Sequence, residues 1–158
     1  MSGTVGVVAP EVAALPFVDE HSLLVRAPAS AVWDALGRSL PSTRAAQRYA
    51  ALVGAEDQRP SGDPLAAGSV APGFHVREAD PPRRVVLVGR HRFSAYSLTF
   101  VLDEEAGGTR LSARTDARFP GVLGALYRAA VIRSGGHRVA VRRWLRRIAR
   151  TAEARSPD

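Results

Sequence analysis

From Asp19 onward the chain alternates, with His21, Leu23 and Val25 on one side and Ser22, Leu24 and Arg26 on the other. That period of two predicts a first strand, which Ala27-Pro28 ends. Pro28 suits the first turn of a helix, and Val32, Trp33, Leu36 and Leu40 give that helix an apolar side. A second short helix is expected next, with Ser42 as its cap and Ala46, Tyr49, Ala50 and Val53 as its buried stripe. Residues 54–73 carry Pro60, Gly62, Pro64, Gly68, Pro72 and Gly73, so little regular structure is expected there beyond a short strand around Ala67–Val70 or a functional lid. Four strands are then predicted, at Phe74–Ala79, Val85–Phe93, Ala95–Asp103 and Thr109–Phe119. Connections this short favour antiparallel hairpins.

The alternation also assigns faces. Leu111, Ala113, Thr115, Ala117 and Phe119 share one side of the last strand, against Arg110, Ser112, Arg114, Asp116 and Arg118. Its predecessor groups Tyr96, Leu98, Phe100 and Leu102. One side of the sheet therefore needs cover. The cover is found in residues 121–154, which read as one long helix kinked at Ser134-Gly135-Gly136, roughly 50 Å if unbroken. Its apolar positions are Leu123, Leu126, Tyr127, Ala130 and Val131, then His137, Val141, Trp144, Leu145, Ile148 and Ala152. The predicted fold is α+β: a curved antiparallel sheet around a long C-terminal helix, with two short helices after the first strand. Residues 1–16 are expected to be a flexible leader and residues 17–155 a single domain.

Composition narrows the chemistry. The chain has no cysteine, which excludes disulfides, thiolate metal sites and thiol nucleophiles. All its basic residues are arginine, so neither a Schiff-base lysine nor a phosphate-loop lysine is available. From Pro120 onward there are nine arginines against two acids, whereas residues 1–119 balance at thirteen of each. The net charge of +7 thus lies in the last quarter, with Arg138, Arg142, Arg143, Arg146, Arg147 and Arg150 in a stripe opposite the apolar face. No aromatic interleaves that stripe for base stacking. It is expected to be a solvated outer surface whose contacts with nucleic acid or anionic lipid are nonspecific and salt-sensitive. No run approaches a membrane span, no stable membrane insertion is expected, and a cytoplasmic protein is the default.

The four histidines, His21, His75, His91 and His137, lack metal-ligand spacing, and no cofactor is implied. His91 shares a strand face with Leu87, Gly89 and Phe93, which turns it inward; His21 lines up with Leu23 and Val25 in the same way. Glu78 shares a face with Phe74 and Val76 and is read as a strand end reaching water. Asp116 is read as an exposed cross-strand charge partner. No Gly-x-Ser-x-Gly elbow or phosphate-binding glycine loop is present.

Several of these stretches resemble a known superfamily. The strand, Ala27-Pro28 and helical Val32-Trp33 within Asp19–Leu36 look like the start of the START-like, SRPBCC or helix-grip group. So do Pro72-Gly73-Phe74, Gly89-Arg90-His91-Arg92-Phe93-Ser94 with Tyr96, and Phe119-Pro120-Gly121 leading to Tyr127-Arg128. The resemblance covers about Asp19 to Ala152 and is closest to a bacterial branch. The group includes polyketide cyclases, lipid-transfer domains and the birch-pollen allergen type, and implies a pocket for an apolar or aromatic small molecule. It carries no catalytic motif common to the whole superfamily.

The expected site lies between a sheet face and a helix face. The sheet contributes His21, Leu87, Gly89, His91, Phe93, Tyr96, Leu98, Phe100, Leu111, Ala113 and Thr115; the helix contributes Leu126, Tyr127, Ala130, His137 and Val141. The first functional expectation is binding of a small hydrophobic ligand there. The alternative is an aromatase/cyclase- or dehydratase-type enzyme on a polyketide-like carbonyl substrate, with His91 as acid or base and Tyr96 or an arginine polarising the carbonyl.

Overall fold

The computed structural model describes residues 15–156. Six strands, β1 (Phe17–Val25), β2 (Val70–Ala71), β3 (Phe74–Asp80), β4 (Arg84–His91), β5 (Ser94–Glu105) and β6 (Gly108–Arg118), form one antiparallel sheet in the order β1-β6-β5-β4-β3-β2. Two helices, α1 (Ala29–Ser39) and α2 (Arg44–Leu52), lie between β1 and β2. After β6 come α3 (Gly121–Arg128), a π-helical turn (Ala129–Arg133) and α4 (Gly136–Glu153). This is the α+β helix-grip arrangement predicted above. Most of the expected leader lies outside the described residues.

The core sits where α4 crosses the sheet. Val141, Leu145, Ile148, Ala149 and Ala152 of α4 meet Phe100, Leu102, Leu111 and Ala113 of the sheet and Val32, Ala35 and Leu36 of α1. Side-chain hydrogen bonds lock the layers: Trp144 Nε1–H donates to Ser39 Oγ at 2.7 Å, and Arg147 donates to the Ser39 carbonyl at 2.9 Å. At the far end the Arg26 amide donates to Glu153 Oε1 at 2.9 Å, and Thr109 Oγ1 donates to the Ala27 carbonyl at 2.8 Å. The Ser39 bonds tie the middle of α4 to the end of α1, and the Arg26–Glu153 bond ties its C-terminus to the β1–α1 corner.

Several local expectations need correction. The long helix is interrupted: Gly135 takes a left-handed conformation (φ 80°), so α4 starts afresh after α3 and the π turn. A left-handed residue cannot continue a right-handed helix, and glycine adopts it without a Cβ clash. The cap of α2 is Thr43, whose Oγ1 accepts the Ala46 amide at 3.1 Å, and not Ser42. Tyr49 is 57 % exposed, so only Ala50 and Val53 of the expected α2 stripe are fully buried. Asp116 is bonded along its own strand, receiving three hydrogen bonds from Arg114 two residues earlier.

The irregular segment is a tied strap. Ser61 and Val70 exchange amide hydrogen bonds at 2.9 and 3.0 Å, the Glu56 amide donates to Arg90 O, and the Gly73 amide donates to Asp57 O at 2.7 Å. His75 Nδ1 lies 2.8 Å from Asp57 Oδ2. The strap also plugs the core with Leu65, which is 2 % exposed and holds a left-handed backbone (φ 62°). Such a conformation costs a non-glycine residue roughly 1–2 kcal/mol, and burying a leucine offsets it with about 1.5–3 kcal/mol.

Candidate functional site

Beyond the core, α4 no longer covers the sheet, and a cavity of about 340 Å³ opens. Its floor is Leu98, Thr115, Ala117 and Phe119, with Ser94, Ser97, Tyr96 and His91 alongside. Ala46, Tyr49, Ala50 and Val53 of α2 form one wall, and Pro72, Gly73 and Phe74 of the strap form another. Tyr127, Val131, Ile132 and His137 close it from above. Among the described residues, no aspartate, glutamate or arginine lines it.

Six of the expected site residues line this space: His91, Tyr96, Leu98, Thr115, Tyr127 and His137. The others do not. Phe100, Leu111 and Ala113 are fully buried core, and Leu87 and Val141 are nearly so. The alternation rule assigned their face correctly, but α4 fills that half of the face itself. Leu126 and Ala130 are exposed. The buried residue of α3 is Gly124, where a Cβ would lie 2.6 Å from the Phe119 carbonyl carbon and 3.1 Å from Phe93 O. That close approach turns Leu123 and Leu126 outward, and hydrophobic periodicity does not register a glycine.

Phe93 stacks on Tyr127 (centroids 5.5 Å, 16°) and belongs to a small separate cluster with Ala50, Val53 and Ala55. Gly89 faces neither ligand space nor water. A Cβ there would lie 2.2 Å from Gly73 O and 2.6 Å from the Tyr96 ring, so the glycine admits the strap and the tyrosine.

His91 accepts the Phe93 amide through Nδ1 at 3.1 Å. The backbone N–H must be the donor, so the neutral ring carries its proton on Nε2. Burial pushes its pKa below the ordinary value near 6.5. What His91 offers the cavity is therefore an N–H donor; to act as a base it would first have to release Phe93. Around it, Phe93, Tyr96 and Tyr127 lie 5.9, 5.4 and 5.0 Å away by ring centroid. The Tyr96 hydroxyl donates to the Gly73 carbonyl, and burial pushes that phenol's pKa up. Burial, with the Tyr49 hydroxyl beside it, does the same to Tyr127. Neither phenol is a proton donor poised near neutrality.

The His91 shift has a measurable sign. The unfolded chain takes up a proton near pH 6.5 that the folded state resists, so stability falls as pH drops through that value and levels off below the folded pKa. His91→Leu should flatten this part of the curve. Urea midpoints taken between about pH 7 and pH 5 read it, and an unchanged slope would assign the titration elsewhere.

His21 is turned inward as expected but lies outside the cavity, with Nε2 3.3 Å from Asp19 Oδ2. His137 reaches Thr115 Oγ1 at 3.0 Å and Asp19 Oδ1 at 3.3 Å through the same Nε2. Asp19 itself was missed, because a lone acid at the start of an edge strand carries no sequence signal; its register opposite Thr115 brings it in. Glu78 is exposed and paired with Arg84 at 2.8 Å. The six arginines of the α4 stripe are all exposed. Among the described residues, no group of three or more His, Asp or Glu side chains has the arrangement a metal ion needs, and no helix is long and apolar enough to cross a membrane.

No protein-family model matches the chain, and no curated protein does. Solved structures do share the fold. Protein CV1439 from Chromobacterium violaceum superposes with a TM-score of 0.57 at 16 % identity, over 90 % of this chain and 100 % of that one. Mll3558 from Rhizobium loti gives 0.54 at 20 % identity, over 84 % and 94 %. DynU16, a putative protein in the dynemicin biosynthetic locus, gives 0.56 at 20 % identity over 87 % of this chain but only 48 % of its own length. At these identities the likeness is one of fold alone.

Proposed function

We propose that the protein binds a small apolar or aromatic molecule in the cavity between the sheet and the helices after β6. The observation that carries this reading is the 340 Å³ space itself, whose lining is chiefly aliphatic and aromatic and includes, among the described residues, no aspartate, glutamate or arginine. Protein interiors are packed like organic crystals, so a void of this size with an apolar lining forfeits dispersion contacts that an apolar guest restores. The lining rings of Phe74, His91, Tyr96 and Tyr127 supply faces and edges for a planar guest.

Mass spectrometry of the purified protein after organic extraction, with displacement of fluorescent fatty-acid and flavonoid probes, tests the reading. At least one apolar probe is expected to bind with a Kd below about 100 µM, the weak end of a small-molecule site. Failure of every probe at that level would remove it. An acid–base enzyme built on His91 has less support, because the nitrogen that would serve as base is already occupied by the Phe93 amide.

A further inference from the structure

We propose that the closed end of the cavity, where Thr115 and His137 stand in front of the Asp19 carboxylate, is a subsite for a hydrogen-bond donor. The ligand is then an apolar or aromatic molecule bearing a hydroxyl or amino group, and not a carboxylate such as a fatty acid. This rests on the cavity being a ligand site and names the chemistry of what fills it.

The register shows where the cavity ends. Leu98 and Thr115 are cross-strand partners and both line the space, whereas the next inward pair, Phe100 and Ala113, is fully buried. A guest driven in by its apolar body therefore stops with its leading group against Thr115 and His137. Behind them Asp19 is held between two imidazoles, with His21 at 3.3 Å from Oδ2 and His137 at 3.3 Å from Oδ1. The Oδ1 contact has the distance of an ion pair without the alignment of a hydrogen bond, and Oδ1 is buried with no hydrogen-bond partner among the described residues.

The cluster is thus short of one donor. His137 Nε2 faces two acceptors, Thr115 Oγ1 at 3.0 Å and Asp19 Oδ1 at 3.3 Å, and one N–H cannot serve both well. A ligand O–H or N–H that donates to Thr115 Oγ1 takes over that acceptor and frees the imidazole N–H for the orphaned carboxylate oxygen. A buried acceptor left without a donor is unfavourable, so the gain exceeds that of a hydrogen bond made in water.

Charge points the same way. The chain has 22 arginines, yet among the described residues none lines the cavity, while the Asp19 carboxylate lies 3.3 Å from the lining His137. A ligand carboxylate arriving there would compete with Asp19 for the His137 N–H, with no arginine among the described lining residues to answer the second negative charge. A neutral hydroxyl or a cationic amine meets no such penalty.

Matched probes on a naphthalene body decide the matter: 2-naphthalenemethanol, 2-naphthylmethylamine, 2-methylnaphthalene and 2-naphthoate, titrated calorimetrically into the whole chain near neutral pH. The alcohol and the amine should each bind at least about tenfold more tightly than the carboxylate. Asp19→Asn should narrow that ratio to about threefold or less by improving naphthoate, and Thr115→Val should weaken the alcohol while leaving 2-methylnaphthalene unchanged. Naphthoate binding as well as the alcohol in the unmodified protein overturns this proposal and leaves the cavity reading intact. Failure of all four probes removes this proposal, and failure of the fatty-acid and flavonoid probes as well removes the cavity reading. Should Asp19→Asn not fold, the probe ratio in the unmodified protein and the Thr115→Val response still settle it.

Discussion

Phe100→Ala should cost about 3–5 kcal/mol of folding stability, a large share of what a domain of this size holds. Phe100 is fully buried at the meeting point of sheet, α1 and α4, and the Trp144 indole contacts it edge-on at 5.3 Å between centroids. Truncation removes the apolar area of the ring and leaves a hole whose surroundings are pinned. Trp144 is tied to Ser39, and Ser39 in turn donates to the Leu36 carbonyl, so the helices cannot easily slide in to fill it. Urea denaturation should show the midpoint falling with an unchanged slope. A loss under about 1.5 kcal/mol would mean that this half of the sheet collapses readily and is not the rigid floor on which the cavity depends.

Gly89→Ala should be nearly as damaging, by about 3 kcal/mol, although it adds one methyl group. The added carbon would sit 2.2 Å from Gly73 O and 2.6 Å from two Tyr96 ring carbons. Neither neighbour can retreat alone. The Tyr96 hydroxyl bonds that same Gly73 carbonyl, and the Gly73 amide is bonded to Asp57 O at 2.7 Å. The strap must therefore lift from the sheet, and because Gly73 and Tyr96 both line the cavity, binding of apolar probes should weaken together with stability. A variant as stable as the parent, with probe affinity intact, would show that the strap is not seated by this contact.

Much of the architecture is legible in the residue pattern for a simple reason: strand alternation reports which face is buried. Leu111, Ala113 and Thr115 on one strand and Tyr96, Leu98 and Phe100 on the next predict the covered side of the sheet, and Val141, Leu145 and Ile148 predict the helix that covers it. Alternation says nothing, however, about position along a strand. Leu111, Ala113 and Phe100 carry the same signal as Thr115, Ala117 and Leu98, yet α4 fills the space over the first set and leaves the second open. The α2 wall was hidden for a related reason. An apolar stripe such as Ala46, Ala50 and Val53 shows that something is faced, without showing what. Leu65 and Asp19 were invisible because each acts alone, one from an irregular segment and one from a strand end, and both are brought in by long-range geometry.

The two hydrophobic clusters differ greatly in size, and this bears on how a guest comes and goes. The main cluster unites α1, α4 and the sheet, while α2 is held by Ala50, Val53, Ala55 and the edge of Phe93. Outward it shows water Tyr49 and Leu52, the latter 76 % exposed. Regions with few buried apolar contacts open at lower free energy than the molecule as a whole unfolds. Both α2 and the α3–π-turn segment are therefore lightly anchored, since no residue of the latter belongs to either cluster, and under the proposed binding role a guest would exchange by local opening of these elements while the main core stays closed.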